Sequence, residues 1–133
     1  MTPGTGFVVF LAVTLVFLGA VFVTGFKAQR KRHIPCVAGA VISLLITIYY
    51  AEKLGETLDL ESAGRIYPVH LAFAKATTAS YLAPLISGFL TLKRPAVRKV
   101  HRILAITVLA LTLVTAVTGT WMVIAAEPLA PAS

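Results

Sequence analysis

The feature that most constrains this 133-residue chain is an uninterrupted apolar stretch at residues 6–26. A helix of that length extends about 31 Å, which matches the hydrocarbon thickness of a bilayer. The residues before it contain no Lys or Arg, and no small-residue cleavage site follows it. A secretory signal peptide has a cationic segment before its apolar core and a small-residue cleavage site after it. Because both are missing here, the stretch predicts a transmembrane helix that is retained.

The composition excludes an ordinary soluble protein. Hydrophobic residues make up 58% of the chain and charged residues 13%, whereas soluble globular proteins have about 45–50% apolar and about 25% charged residues. Long uncharged stretches alternate with short polar segments, which also excludes a disordered or fibrous chain. The single cysteine, Cys36, cannot form an internal disulfide. We therefore predict an all-α integral membrane protein.

Three further apolar stretches predict transmembrane helices at residues 34–51, 66–92 and 100–126. Pro35 is expected to open the second span, because its missing N–H is harmless in a first turn. Pro84 is expected to kink the third span, and Glu127 with Pro128 to end the fourth. The chain is thus predicted to form a single membrane domain over residues 1–133.

The basic residues predict the orientation of the four spans. Nine of the twelve Lys and Arg residues lie in the segments 27–32 and 93–102, whereas segment 52–65 carries four of the five acidic residues. The positive-inside rule places the two basic segments in the cytoplasm, and anionic lipid headgroups rather than nucleic acid account for the net charge of +7. Short connections favour an up-down four-helix bundle with both termini extracytoplasmic and the second and fourth helices diagonal.

Two of the predicted helices carry a stripe of small and polar residues along one face. At 100° per residue, the stripe on the third span contains His70, Ala74, Thr77, Tyr81, Pro84 and Gly88, and the stripe on the fourth contains His101, Ala105, Val108, Thr112, Thr115 and Gly119. In a bilayer such stripes are packing seams between helices. The first span is rich in phenylalanine and is expected to face lipid.

Two histidines are the strongest candidates for a cofactor site. His33 begins the second span and His101 begins the fourth, so both are expected at the same depth on diagonal helices. Two histidines that face each other across a bundle can ligate one b-type heme, and nearby arginines can bind its propionates. The alternative is an interfacial histidine in a basic segment, without a ligand.

A third histidine, His70, is expected near the extracytoplasmic end of the bundle. Met122 lies at a similar depth and could complete a His/Met ligand pair for heme or a metal ion. The alternative is a belt of interfacial aromatic residues, which Tyr49, Tyr50 and Trp121 would form with His70.

Two further residues have functional and structural interpretations. Cys36 follows His33 by three residues, a spacing that could hold copper, although two ligands are a weak signal. Lys75 lies within the third span, where a cation indicates a transport role or a side chain that reaches outward to the interface. Copper is therefore the second candidate cofactor after heme b, with His33, His70 and His101 as candidate metal ligands.

The runs RKRHIPCVAGAVISLLITIYY and IYPVHLAFAKATTASYLAPLISGFLTLKRPAVRKVHRILAITVLALTLVTAVTGTWM resemble an uncharacterised four-helix bacterial membrane family that is linked to assembly of heme-copper cytochrome oxidases. The resemblance covers residues 30–122 and rests on His33, His70, His101 and the pair Thr118-Gly119. The family usually has another histidine at the outer end of its second helix, where this chain has Tyr49, Tyr50 and Ala51.

The segment from His70 through LKRPAVRKVHRILA also resembles, less specifically, the two-helix unit of b-type membrane cytochromes. Together these resemblances imply a multi-pass protein of the bacterial inner membrane that serves as an accessory or assembly component of a respiratory chain, with other membrane subunits as partners and no enzymatic activity of its own. One alternative is an electron-transfer cytochrome that oxidises quinol or a partner cytochrome. The other is a scaffold subunit that binds no cofactor.

Overall fold

The structure is a computed structural model that describes residues 1–129 and is all-helical apart from two very short strands. The helices are α1 (Pro3–Phe26), α2 (Arg30–Gly55), α3 (Ile66–Ser80), α4 (Leu82–Lys93) and α5 (Arg98–Ala125). Short 3-10 helices cover Leu60–Ala63 and Pro95–Val97, and the strands are β1 (Leu58–Asp59) and β2 (Glu127–Pro128). The all-α prediction is therefore confirmed.

The chain divides into two compact units. Unit 1 comprises Met1–Asp59 together with Pro128 and Leu129, and its helices α1 and α2 pack against each other. Unit 2 is Leu60–Glu127, in which α3 and α4 both pack against α5. Each unit is therefore built around an antiparallel helical hairpin.

Three helical segments are long and apolar enough to cross a membrane. They are Pro3–Phe26, Arg30–Gly55 and Pro95–Ala125, with mean hydropathies of 2.8, 2.0 and 2.1. The span predicted at 66–92, for which a kink was expected at Pro84, consists of two helices of 15 and 12 residues that meet at Tyr81. Pro84 explains this division, because it has no N–H to donate to the carbonyl of Ser80 one turn earlier.

The second helix begins before the point that Pro35 was expected to mark. It starts at Arg30, and Pro35 lies inside it. The N–H groups of Arg32 and His33 donate to the carbonyl of Gln29 at 3.0 and 2.9 Å, so the first turn is complete before the proline is reached. Pro35 removes only one later bond, to the carbonyl of Lys31, and the preceding Arg and Lys residues are good helix formers.

The interior is polar and the exterior apolar, the reverse of a soluble protein. The buried hydroxyl residues are Thr14, Thr24, Ser43, Thr47, Thr77, Ser87 and Thr112, whereas Ala40, Val108 and Met122 are the buried hydrophobic residues that the described chain contains. Large apolar side chains such as Val16 and Ile124 are exposed. Helices that are surrounded by lipid pack through small and hydroxyl residues in this way.

The first span was expected to face lipid, but one face of α1 packs against α2. Gly6, Thr14 and Thr24 are its buried residues. The hydroxyl of Thr14 lies 3.1 Å from that of Thr47 on α2, and only 1% of Thr14 is exposed. These residues recur at helical spacing, but the phenylalanines between them obscure the stripe.

The turn between α1 and α2 closes the first helix with a Schellman motif. Ala28 adopts a left-handed conformation, with φ of 52°. Its N–H donates to the carbonyl of Gly25 at 3.2 Å, and the N–H of Gln29 donates to the carbonyl of Thr24 at 2.9 Å. The turn thus satisfies the last carbonyls of α1 and brings the start of α2 back against Thr24.

Candidate histidine sites

Each of the three histidines lies against a Ser/Thr-Gly dipeptide on the neighbouring helix of its own unit. We call the end of each unit that carries the cationic loop its basic end, at residues 27–32 in unit 1 and 93–102 in unit 2. The opposite end of each helix pair is its distal end. His33 and His101 lie at basic ends, and His70 lies at the distal end of unit 2.

His33, in the first turns of α2, is held against the last turn of α1. Its Nδ1 lies 3.1 Å from the hydroxyl of Thr24 and 3.1 Å from the carbonyl oxygen of Val21. The hydroxyl of Thr24 donates to the carbonyl of Ala20 at 2.7 Å. Since that proton is in use and a carbonyl can only accept, Nδ1 of His33 must carry the hydrogen that is donated.

His101, in the first turn of α5, lies against the second half of α4. Its Nδ1 is 3.0 Å from the hydroxyl of Ser87, which also donates to the carbonyl of Pro84 at 3.3 Å. Pro84 therefore contributes to this site through its carbonyl as well as through the break in the helix. With the Ser87 proton on Pro84, the Nδ1–H group of His101 donates to the hydroxyl oxygen.

His70, in the second turn of α3, lies against the last two turns of α5. Its Nδ1 is 3.1 Å from the hydroxyl of Thr118. That hydroxyl donates within its own helix, to the carbonyls of Val114 at 2.9 Å and Thr115 at 3.1 Å. As at the other two sites, the single hydroxyl proton is in use, so the ring nitrogen is the donor.

At His33 the carbonyl of Val21 requires the hydrogen to be on Nδ1, and the intrahelical bonds of Thr118 and Ser87 favour the same tautomer at His70 and His101. In this tautomer the neutral ring carries its hydrogen on Nδ1 and its lone pair on Nε2. Metal-ligating histidines are commonly fixed in this manner, with the second ring nitrogen donating to an outer acceptor that orients the ring. The three hydroxyls thus favour a lone pair on Nε2 of each imidazole.

A glycine next to each hydroxyl residue lets the ring approach the backbone. A methyl group added at Gly25 would lie 3.2 Å from Cε1 of His33, and one at Gly88 would lie 3.2 Å from Cε1 of His101. At Gly119 the corresponding distance to Cε1 of His70 is 2.7 Å, which is too short for two carbon atoms. The hydroxyl therefore orients each ring and the glycine provides the space for it.

The two sites of unit 2 are related by an internal repeat. The segments HLAFAKATTASYLAPLISG and HRILAITVLALTLVTAVTG are each 19 residues long, begin with His70 or His101, and end with a Ser/Thr-Gly pair. In the antiparallel arrangement, the histidine of each segment contacts the dipeptide that ends the other. Tyr81 and Thr112 occupy equivalent positions in the two segments, and their hydroxyls bond to each other at 2.6 Å.

Unit 1 has the histidine site at its basic end and an aromatic contact at its distal end. A fourth Ser/Thr-Gly pair, Thr5-Gly6, lies at the start of α1. The ring against Gly6 is that of Tyr50, and a methyl group on Gly6 would overlap it. Tyr50 stacks on Phe10 with ring centroids 5.7 Å apart. Tyr50 follows His33 by 17 residues, the interval that separates His101 from Thr118.

The predicted packing seams of the third and fourth spans are confirmed within unit 2. Thr77 bonds to Thr115 at 2.8 Å, and Gly119 and Val108 are buried. The proposed pairing of His33 with His101 involves residues of different units, and it stays a prediction. His70 has Thr118 as its partner, and Met122 is buried one turn further along α5.

The remaining sequence candidates are isolated from other ligand-forming groups. Cys36 is half-buried on α2 and has a free thiol. Lys75 is exposed, and no hydrogen bond or ion pair joins it to another residue within 1–129. In the same range, no three His, Cys, Asp or Glu side chains are grouped so that they could hold a metal ion together.

The sequence analysis missed Thr24 and Ser87, the hydroxyl residues that position His33 and His101. The signal that identifies them is the dipeptide, because every histidine of the chain contacts a Ser/Thr-Gly pair and the chain has only four such pairs. Comparisons with protein-family models, curated proteins and solved structures found no match. The family resemblance over residues 30–122 therefore stays a prediction.

Proposed function

We propose that this chain is a multi-pass protein of the bacterial inner membrane, where it serves as an accessory or assembly component of a respiratory chain and carries heme or a metal ion on its histidines. The observation that carries the proposal is the shared geometry of His33, His70 and His101. Each ring is fixed through Nδ1 by a hydroxyl on the facing helix, so that Nε2 has the lone pair.

A membrane location is supported by the polarity of both units. Three helical segments have the length and hydropathy of transmembrane helices, and the outer surfaces of both units are rich in exposed apolar side chains. In the proposed bundle α3 and α4 together cross once, because residues 66–93 would extend about 42 Å as helix. Both basic ends then face the cytoplasm and both termini face outside.

The histidines fit heme or copper in their ligand chemistry. Neutral imidazole binds both iron and copper, and a hydrogen bond from Nδ1–H to an oxygen makes Nε2 a better ligand. Heme bound between His33 and His101 would supply one-electron chemistry, which is the electron-transfer alternative. The cations at the same ends of the units, Arg32 and Arg102 among them, have the charge that propionates require.

The separation of His70 from His101 within unit 2 favours a carrier over a catalyst. Within unit 2 His70 and His101 are 31 residues apart and lie at opposite ends of the helix pair, so they cannot share one ion. A metal or heme iron held by few protein ligands exchanges more readily than one in a closed site. This suits a protein that passes its cargo to a partner subunit.

The test is an absorption spectrum of the full-length chain, purified in mild detergent from heme-replete cells, with metal analysis of the same sample. We expect a Soret band and a reducible α-band, or else copper at up to one equivalent per occupied site. His33→Ala and His101→Ala should each remove the heme bands. His70→Ala is the matched control, because it deletes an equivalently bonded imidazole from the distal end and should leave a basic-end heme in place.

Circular dichroism of each variant separates loss of ligand from loss of fold. A colourless, metal-free wild-type preparation would overturn the carrier proposal. Bands that survive all three substitutions in folded protein would also overturn it, because the heme would then be held elsewhere.

A second candidate is a scaffold subunit that binds no cofactor. The observation that favours it is the contact of each histidine with glycine and hydroxyl groups, which is also how helices pack tightly in membranes. The scaffold function predicts colourless protein that co-purifies with other membrane subunits. In that case Ser87→Ala should weaken complex recovery to the same extent as His101→Ala, because both would act through helix packing.

A further inference from the structure

Unit 2 has a concentrated positive charge at its basic end. The segment 93–102 contains five Lys and Arg residues, and segment 62–126 contains no Asp or Glu. The acidic residues nearest in unit 2, Glu61 and Glu127, adjoin its distal end, and Glu127 lies about 40 Å along α5 from Arg98. That separation exceeds the Debye length of about 8 Å in physiological salt several times over.

A hollow of about 330 Å³ lies within this basic end. It is lined by Pro95, Ala96, Arg98, Lys99 and Arg102. The three cations lie in the first turns of α5, where Arg102 follows Lys99 by three residues and Arg98 by four, so all three fall within about 100° around the helix axis. Arg98 and Lys99 are exposed and form no ion pair with another residue of the described chain.

The surface below this hollow is apolar. Ile103 and Ile106 follow Lys99 on the same face of α5, and 56% and 42% of their surfaces are exposed. Along a helix they lie about 6–12 Å further from the basic end. The hollow therefore presents ammonium and guanidinium groups at one level of the helix and an apolar surface at the level about 6–12 Å further along.

From this arrangement we propose that the basic end of unit 2 binds one anionic phospholipid, with the headgroup phosphate at Arg98 and Lys99 and an acyl chain along Ile103 and Ile106. The two levels match the two parts of a lipid, whereas a free phosphate ion would use only the cations. This site rests on the proposed membrane location and uses none of the three histidines.

The distal end of unit 2 provides a contrast within the same molecule. A hollow of about 300 Å³ there is lined by Arg65, Trp121 and three apolar residues. It has one cation, and Glu61 and Glu127 lie in the adjoining segments. An anionic headgroup is therefore expected at the basic hollow and not at the distal one.

The experiment measures lipid retention on the full-length protein in detergent micelles that contain phosphatidylcholine and phosphatidylglycerol, by native mass spectrometry. The double variant Arg98→Gln/Lys99→Gln should retain phosphatidylglycerol about 10- to 30-fold more weakly, since each interfacial cation contributes about a three- to fivefold factor. Arg30→Gln/Lys31→Gln removes the same two residue types from the first turn of α2 in unit 1 and should change retention less than about threefold.

Three outcomes would overturn the proposal. One is equal weakening in the two double variants, which would indicate attraction by net charge alone. Another is displacement of the lipid by millimolar inorganic phosphate, which would identify a phosphate site. The third is unchanged retention in Arg98→Gln/Lys99→Gln. The charge-conserving variant Arg98→Lys/Lys99→Arg should keep binding within about threefold, which separates loss of charge from loss of fold.

Discussion

The two units pack a histidine in the same way at their basic ends and pack different aromatic rings at their distal ends. At the basic end, unit 1 holds His33 on Thr24-Gly25 and unit 2 holds His101 on Ser87-Gly88. At the distal end, unit 2 repeats the arrangement with His70, whereas unit 1 packs the ring of Tyr50 on Gly6. All four places thus have a glycine that leaves room for a ring, but the ring is an imidazole in only three of them.

This difference separates packing from ligand chemistry. A tyrosine ring fills space beside a glycine as well as an imidazole does, but it supplies no nitrogen lone pair. A site with Tyr50 therefore serves structure alone, and the sites with histidine combine the same structural contact with a nitrogen of fixed tautomer. The following predictions test whether the two kinds of site behave differently.

The largest effect is expected at the aromatic site. Gly6→Ala should lower the free energy of unfolding by about 2–3 kcal/mol, because the new methyl group would overlap the ring of Tyr50 and force it out of its stack with Phe10. Unfolding in mixed detergent micelles, titrated with sodium dodecyl sulfate, measures the change. The matched control is Gly19→Ala in the same helix, which has no atom within 4 Å of the added methyl group and should be neutral or slightly stabilising. Equal destabilisation by the two variants would contradict the packing argument.

The next effect is expected at the histidine site of unit 2. Thr118→Val keeps the shape of the side chain but removes the acceptor of the Nδ1–H group of His70, at a cost of about 1–2 kcal/mol. Nitrogen NMR of the imidazole should then show less of the Nδ1–H tautomer. Thr120→Val is the control, because the Thr120 hydroxyl bonds only within its own helix, to Ala116. An unchanged tautomer in Thr118→Val would show that the hydroxyl does not set it.

A smaller difference is expected between two tyrosines. Tyr81→Phe removes the hydrogen bond to Thr112 at the centre of unit 2 and should cost about 1 kcal/mol. Tyr50→Phe should have little effect, because within the described chain its hydroxyl has no hydrogen-bond partner and its ring does the packing. The same unfolding titration compares them. A larger loss for Tyr50→Phe would mean that the aromatic site also depends on a polar contact.

The smallest effect concerns the loops. Ala28→Gly in unit 1 should raise the free energy of unfolding by about 0.5–1 kcal/mol, because glycine adopts the left-handed conformation of residue 28 without strain. Ala96→Gly in the loop of unit 2 is the matched control. Among the described residues Ala28 is the one non-glycine residue with positive φ, so at residue 96 glycine only adds entropy to the unfolded chain and should destabilise slightly. Changes of the same sign would contradict the assignment of strain to Ala28.

The sequence predicted the features that depend on length and period. Apolar length predicted four spans, and three of them correspond to helical segments that are long and apolar enough to cross a membrane. The 100° period placed Thr77, Thr112 and Gly119 on faces that the structure buries. Both signals are local, because hydrocarbon thickness sets the first and helix geometry the second. A kink in the third span was expected at Pro84, and the structure places the break three residues earlier, at Tyr81.

The features that the sequence did not predict depend on register between helices. Which hydroxyl meets His33 is decided by the turn at Lys27–Gln29, whose three residues fix how α2 folds back on α1. No periodicity within one helix contains that information. The start of α2 was predicted too late, near Pro35, for a related reason. The helix begins with hydrogen bonds to Gln29, which lies outside the apolar stretch.

The crossed contacts of the repeat in unit 2 have a consequence for chain connectivity. Each 19-residue segment begins with a histidine and ends with the Ser/Thr-Gly dipeptide that contacts the histidine of the other segment. The two segments contact each other reciprocally, as the two subunits of a symmetric dimer do. These contacts do not depend on which segment comes first in the chain. A gene with the two segments in exchanged order would encode the same pair of reciprocal contacts, with a different linker joining them.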